Sequence, residues 1–106
     1  MESKQLAVAK IAVASVFDLN CDQLFNELQY VDVVTARRFV FYVLKNKYNY
    51  SVTDIAIEFG KSESSIYYSL RHIDEWLIKS DRANEDFKDI INIIDDYENR
   101  NYREDR

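Results

Sequence analysis

Proline is missing from this 106-residue sequence, and glycine, cysteine, histidine and tryptophan occur once each. Each scarcity excludes something. Without proline, no position obliges a helix to stop, so the expected architecture is all-helical. A single glycine, Gly60, rules out a phosphate-binding loop of the G-x-x-x-x-G-K-(S/T) type and the nucleotide hydrolysis it would support. Cys21 has no partner for a disulfide within the chain, and a cysteine-rich zinc site is excluded with it. His72 shares no metal-ligand spacing with Cys21, so no metal or other cofactor is expected. No apolar run approaches the roughly 20 residues of a membrane span. Lys4 and Lys10 interrupt the apolar N-terminal stretch, which therefore does not read as a signal peptide. The expectation is a cytoplasmic protein with no membrane association.

What the sequence does have is apolar and aromatic mass: 47% hydrophobic and 14% aromatic residues, enough for one buried core. We read residues 1–97 as one domain and 98–106 as a charged, frayed tail. The net charge of −5 argues against a nucleic-acid partner, but it is unevenly placed. Residues 81–106 hold nine acidic and five basic side chains, whereas between Asp32 and Asp54 there are Arg37, Arg38, Lys45 and Lys47 and no acid. A locally basic face is compatible with an acidic C-terminal helix. The neighbouring carboxylates Asp74/Glu75 and Asp95/Asp96 read as solvated helix faces, not a catalytic pair, and no enzyme is expected.

Periodicity predicts six helices. Leu6, Val13 and Phe17 place the first over about 3–17. Asn20, with Gln23 three residues on, caps a short second helix in which Cys21 is expected to pack. The third, about 32–47, is apolar nearly all round and so central, with Arg37 and Arg38 the exceptions. A Ser51-x-x-Asp54 capping box starts a fourth helix that ends at Gly60. Ser62 caps a fifth, whose stripe is Ile66, Leu70, Ile73 and Leu77, with Trp76 partly covered beside it. Phe87, Ile90, Ile91 and Ile94 place the last over about 84–97.

Two capped helices around a glycine turn make a helix-turn-helix pattern, whose second helix, in DNA-binding versions, enters the major groove. At about 100° per residue, Ser64, Tyr68, Arg71 and Glu75 lie opposite the apolar stripe, flanked by Lys61, Ser65 and His72. Hydroxyls and the positive helix end suit bases and phosphates there, and Tyr67 and Tyr68 suit thymine methyls or a protein partner. Ordinary capping by Ser62 explains part of the same pattern.

The chain as a whole, from about Gln5 to Ile94, resembles the C-terminal DNA-binding domain of the bacterial replication initiator DnaA. Val33 to Val43 (VVTARRFVFYV) matches the family's V-x-A-R-Q-x-A-M-Y-L helix. Ser51 to Gly60 (SVTDIAIEFG) matches S-L-P-E-I-G-R-A-F-G, and Ile66 to Ile73 (IYYSLRHI) matches V-L-H-A-V-R-K-I. Val16 to Phe25 occupies the family's step from first to second helix. The resemblance implies a six-helix bundle related to Trp repressor, and a bacterial, phage or mobile-element origin. It also implies a role in regulating replication or transcription.

Through the resemblance, Ser62, Glu63, Ser64 and Ser65 stand where the family's Asp-His-(Thr/Ser)-Thr cluster reads the origin box. Glu63 in place of histidine, and the non-basic segment Asn26–Tyr30 in place of a basic loop, imply a different target. Lys61, Ser62, Glu63, Ser64, Ser65 and Tyr68 are thus the expected base-facing residues, and Arg37, Arg38, Lys45 and Arg71 the expected phosphate contacts. Arg37, Arg38, Lys61 and Arg71 are expected to converge beside the start of the fifth helix. The competing expectation is a protein-interaction module that kept the fold and lost DNA reading.

Overall fold

Helix ends in this chain are fixed by side chains, in keeping with the lack of proline. The computed structural model describes residues 3–25 and 31–104, which form α1 (Lys4–Val16), α2 (Cys21–Leu24), α3 (Val31–Asn46), α4 (Val52–Phe59), α5 (Glu63–Lys79) and α6 (Asp81–Glu104). The described residues contain no strand. The Ser3 hydroxyl caps α1 by accepting from the Leu6 N–H, and also bonds the Tyr50 hydroxyl at 2.8 Å. Asn20 with Gln23 and Ser51 with Asp54 close reciprocal capping boxes on α2 and α4. Between helices the backbone turns through left-handed conformations at Asp18 (φ 55°), Asn49 (φ 58°) and Gly60 (φ 63°), residue types that tolerate that region best. The Asn26–Tyr30 segment, expected to be a loop, lies outside the described residues.

α3 is the centre of the bundle, as its apolar sequence implied, and packs against α1, α2, α4 and α5. Ala36, Phe39, Val40, Val43 and Leu44 are fully buried on it. The Phe39 ring meets Phe17 beyond α1 (5.8 Å between centroids), Trp76 of α5 (5.9 Å) and Phe87 of α6 (6.3 Å). Phe41 meets Phe59 of α4 edge-on at 5.0 Å, and Phe59 stacks on Phe25 at 4.9 Å. Aromatic pairs at these separations add about 0.5–1.5 kcal/mol each to the burial of their area. Lys10 of α1 reaches over both the Phe25 and Phe59 rings.

Three expectations need correction. The sixth helix begins at Asp81, not near Asn84, and runs through Glu104, so most of the stretch read as a frayed tail is helical. The start moves because Ser80, not Asn84, is the cap: its hydroxyl accepts from the Ala83 N–H at 3.1 Å. Asn84 instead donates its side-chain amide to the carbonyls of Leu77 (2.6 Å) and Ser80 (2.9 Å), covering the end of α5. Cys21 is exposed, because as the first residue of a four-residue helix it points away from the core that Leu24 enters.

The acids of α6 hold the corner between α3 and α4. Lys47 Nζ pairs with Asp95 at 3.2 Å, and the Tyr48 hydroxyl donates to Glu98 at 2.7 Å. No helix of the described residues is long and apolar enough to cross a membrane. Because Phe39 joins α1, α5 and α6 through α3, Phe39→Ala is expected to lower unfolding free energy by about 3–5 kcal/mol, measured by urea denaturation. A loss below about 1 kcal/mol would show that the ring is not central.

Candidate nucleic-acid interface

Gly60 ends α4 in the left-handed conformation, and the Lys61 N–H closes the turn on the Ala56 carbonyl at 2.9 Å. Lys61 therefore emerges immediately before α5 at a fixed place. Ser62 caps α5, its oxygen accepting from the Ser65 N–H at 3.1 Å. The buried side of α5 is Ile66, Ser69, Leu70 and Ile73. Lys61, Ser62, Glu63, Ser64, Ser65, Tyr67, Tyr68, Arg71 and His72 are all exposed, so the start of the helix is open to solvent.

Two clefts run between α3 and α5. The first, about 160 Å³, has Val34 and Phe41 of α3 as its apolar part and brings Arg37 and Arg38 to Lys61, Ser65, Tyr68 and Ser69. The Arg38 guanidinium lies 5.3 Å from the centre of the Tyr68 ring, within cation–π range, and Tyr68 also lies 6.1 Å from the His72 ring. The second cleft, about 360 Å³, is lined by Tyr42, Lys45 and Asn46 of α3 with Tyr67, Arg71 and Asp74 of α5. By helical angle, Ser65 and Tyr68 leave one flank of the buried stripe, and Tyr67, Arg71 and Asp74 the other.

The four cations expected to converge are therefore divided. Arg37, Arg38 and Lys61 share the first cleft, while Arg71 sits with Lys45 in the second. Arg37 is half-buried, and its Nε donates to the Leu24 carbonyl, tying the end of α2 to α3. Burial holds its guanidinium below the ordinary arginine value. Of the base-facing set, Ser62 and Glu63 already have partners: Ser62 is the cap, and Glu63 accepts from the Thr53 hydroxyl of α4 at 2.9 Å. Lys61, Ser64, Ser65 and Tyr68 face solvent as expected.

Several residues went unremarked in the sequence. Thr53 is one; nothing in its type shows that it meets a carboxylate ten positions on, because that contact depends on the angle between α4 and α5. Ser69 reaches the first cleft from a largely buried position. Tyr42 and Asp74 clasp α3 to α5, the phenol donating to Asp74 Oδ1 at 2.9 Å. A tyrosine two-thirds of the way along a central helix reads as core, and only the fold reveals its bond.

No cluster of His, Cys, Asp and Glu suited to a metal ion occurs among the described residues. The sequence matches no protein-family model and no curated protein.

Burial, the bond to Asp74 and that carboxylate's charge together push the Tyr42 phenol up to about 12. A raised phenol favours the folded state in its protonated form. Its contribution is complete below about pH 10, the unfolded tyrosine value, and disappears as pH rises through about 12. Tyr42→Phe is expected to flatten the decline of the urea midpoint between those two values. An unchanged decline would dissociate Tyr42 from alkaline unfolding.

Proposed function

We propose that the chain binds double-stranded DNA through α5, as a stand-alone relative of the DnaA C-terminal domain with the Trp-repressor-like arrangement that the resemblance implies. The observation that carries this reading is the first cleft, where two arginines, a lysine, two serines and a tyrosine border the exposed start of a helix. Such an end presents unpaired N–H groups and the positive end of the helix dipole, which suit a polyanion.

The net charge of −5 opposes DNA binding over long range, but local composition differs. Residues 31–79 hold seven Lys or Arg and six Asp or Glu. Two of those acids already receive protein hydroxyls: Glu63 from Thr53 and Asp74 from Tyr42. In this reading Lys61, Ser64, Ser65 and Tyr68 meet base edges, and Arg38, Lys45 and Arg71 neutralise phosphates. Glu63 keeps a carboxylate oxygen for a cytosine amino group, which makes the target differ from the standard origin box. Arg37 serves to hold α2 on α3, a role that differs from the phosphate contact its sequence position implies. The protein would be a regulator of replication or transcription in a bacterial or phage-infected cytoplasm, with neither catalysis nor a cofactor.

A protein partner is the second reading, favoured by Ile57 on α4 and Ile78 on α5, 76% and 83% exposed. Fluorescence polarisation on random duplexes at low salt separates the two. DNA binding predicts saturation with a slope of log affinity against log salt near about −3.6, for about four phosphate contacts. Arg38→Ala with Lys61→Ala is expected to weaken binding and make that slope shallower by about 1.8. A flat salt response, or no saturable binding at micromolar protein, would overturn the DNA reading.

A further inference from the structure

The second cleft holds a combination that duplex binding at the tip of α5 does not require. Lys45 from α3 and Arg71 from α5 converge on one concavity of about 360 Å³. Neither is ion-paired among the described residues. This is uncommon here: Lys47, one turn of chain away, is paired with Asp95, and Arg82 and Arg100 are paired with acids four residues off. The one carboxylate in the cleft, Asp74, receives the Tyr42 proton on Oδ1. Two positive charges therefore face one negative charge that is already hydrogen-bonded. Asn46 donates its amide back to the Tyr42 carbonyl at 3.0 Å, so it shapes the wall without being the principal donor. The Tyr67 ring, 59% exposed, stands at the edge.

We infer that this cleft is a seat for a phosphoryl group, held by Lys45 and Arg71 and bordered by Tyr67. The guanidinium fork and the ammonium together offer more donors than the two oxygens of a carboxylate use, whereas a phosphoryl group presents three oxygens and up to two charges. The volume exceeds that of a phosphoryl group alone and lies within the range of small-molecule pockets, leaving Tyr67 to lie against whatever carries the phosphate. The phosphoryl group has two sources: the backbone of a DNA strand, or a free phosphorylated small molecule. The first source rests on the DNA reading, and the seat itself does not. If the source is DNA, the two clefts on opposite flanks of α5 hold the two strands on either side of a groove.

The test uses the full chain and a Lys45→Gln/Arg71→Gln variant, both of whose changed side chains are exposed. Amide resonances are followed by NMR as inorganic phosphate, and separately adenosine monophosphate, is added. Duplex affinity is measured across salt for the same two proteins. The expected result is a shift at Lys45, Tyr67 and Arg71 with phosphate, lost in the variant. Stronger shifts with the nucleotide would identify a free small molecule as the source. A salt slope shallower by about 1.8 in the variant would identify a DNA strand, and would support the seat even without a shift from free phosphate. Phosphate shifts spread over every surface cation, or no shift together with an unchanged slope, would overturn the seat. In that case an effect of Arg38→Ala with Lys61→Ala on duplex affinity would leave the DNA reading standing. Phosphate shifts at the cleft without any duplex binding would do the reverse.

Discussion

Phe39 has no exposed surface and touches aromatic rings from three other parts of the chain. The contact with Trp76 matters most for function, because it helps set where α5 lies relative to α3. Both clefts are gaps between those two helices, so their shapes follow from how the pair is held apart. Phe39, with Val40 and Val43, packs the inner side; the Tyr42–Asp74 bond fastens the outer side. A core that shifted would therefore alter the spacing of Arg38 from Tyr68 and of Lys45 from Arg71 at the same time. Packing and electrostatics here are not separable designs.

The acidity of the chain has a structural use. Asp95 and Glu98 of α6 meet Lys47 and Tyr48, and burial with the Glu98 bond raises the Tyr48 phenol above its ordinary value. These contacts occupy one cation of the acid-free stretch, and they place α6 against the end of α3. Arg38, Lys45, Lys61 and Arg71 are without ion pairs among the described residues. The overall charge is therefore a poor guide to the face that α5 presents.

Local rules read directly from the sequence held where the interaction spans a few residues. The caps at Asn20, Ser51 and Ser62, the left-handed Gly60 and the buried stripe of α5 are all decided within one or two turns. The rules failed where a residue's partner is on another element. Asn84 looked like a cap and is a clamp on the end of α5; Arg37 looked like a phosphate contact and reaches the carbonyl of Leu24. Glu63 looked like a free carboxylate and is bonded to Thr53. The separation of the cations into two clefts was likewise invisible, since helical angle gives a direction on one helix but not which flank a neighbouring helix covers.

Gly60 shows how narrow a requirement can be. No heavy atom lies within 4 Å of the point where a Cβ would sit, so a methyl group there would meet empty space. What excludes alanine is the sign of φ, +63°, and nothing else. The demand is one of chirality: a mirror-image alanine would fit this turn and, by narrowing the freedom of the unfolded chain, hold it more firmly than glycine does. The place at which the Lys61 ammonium leaves the backbone is thus set by the handedness of a single α-carbon.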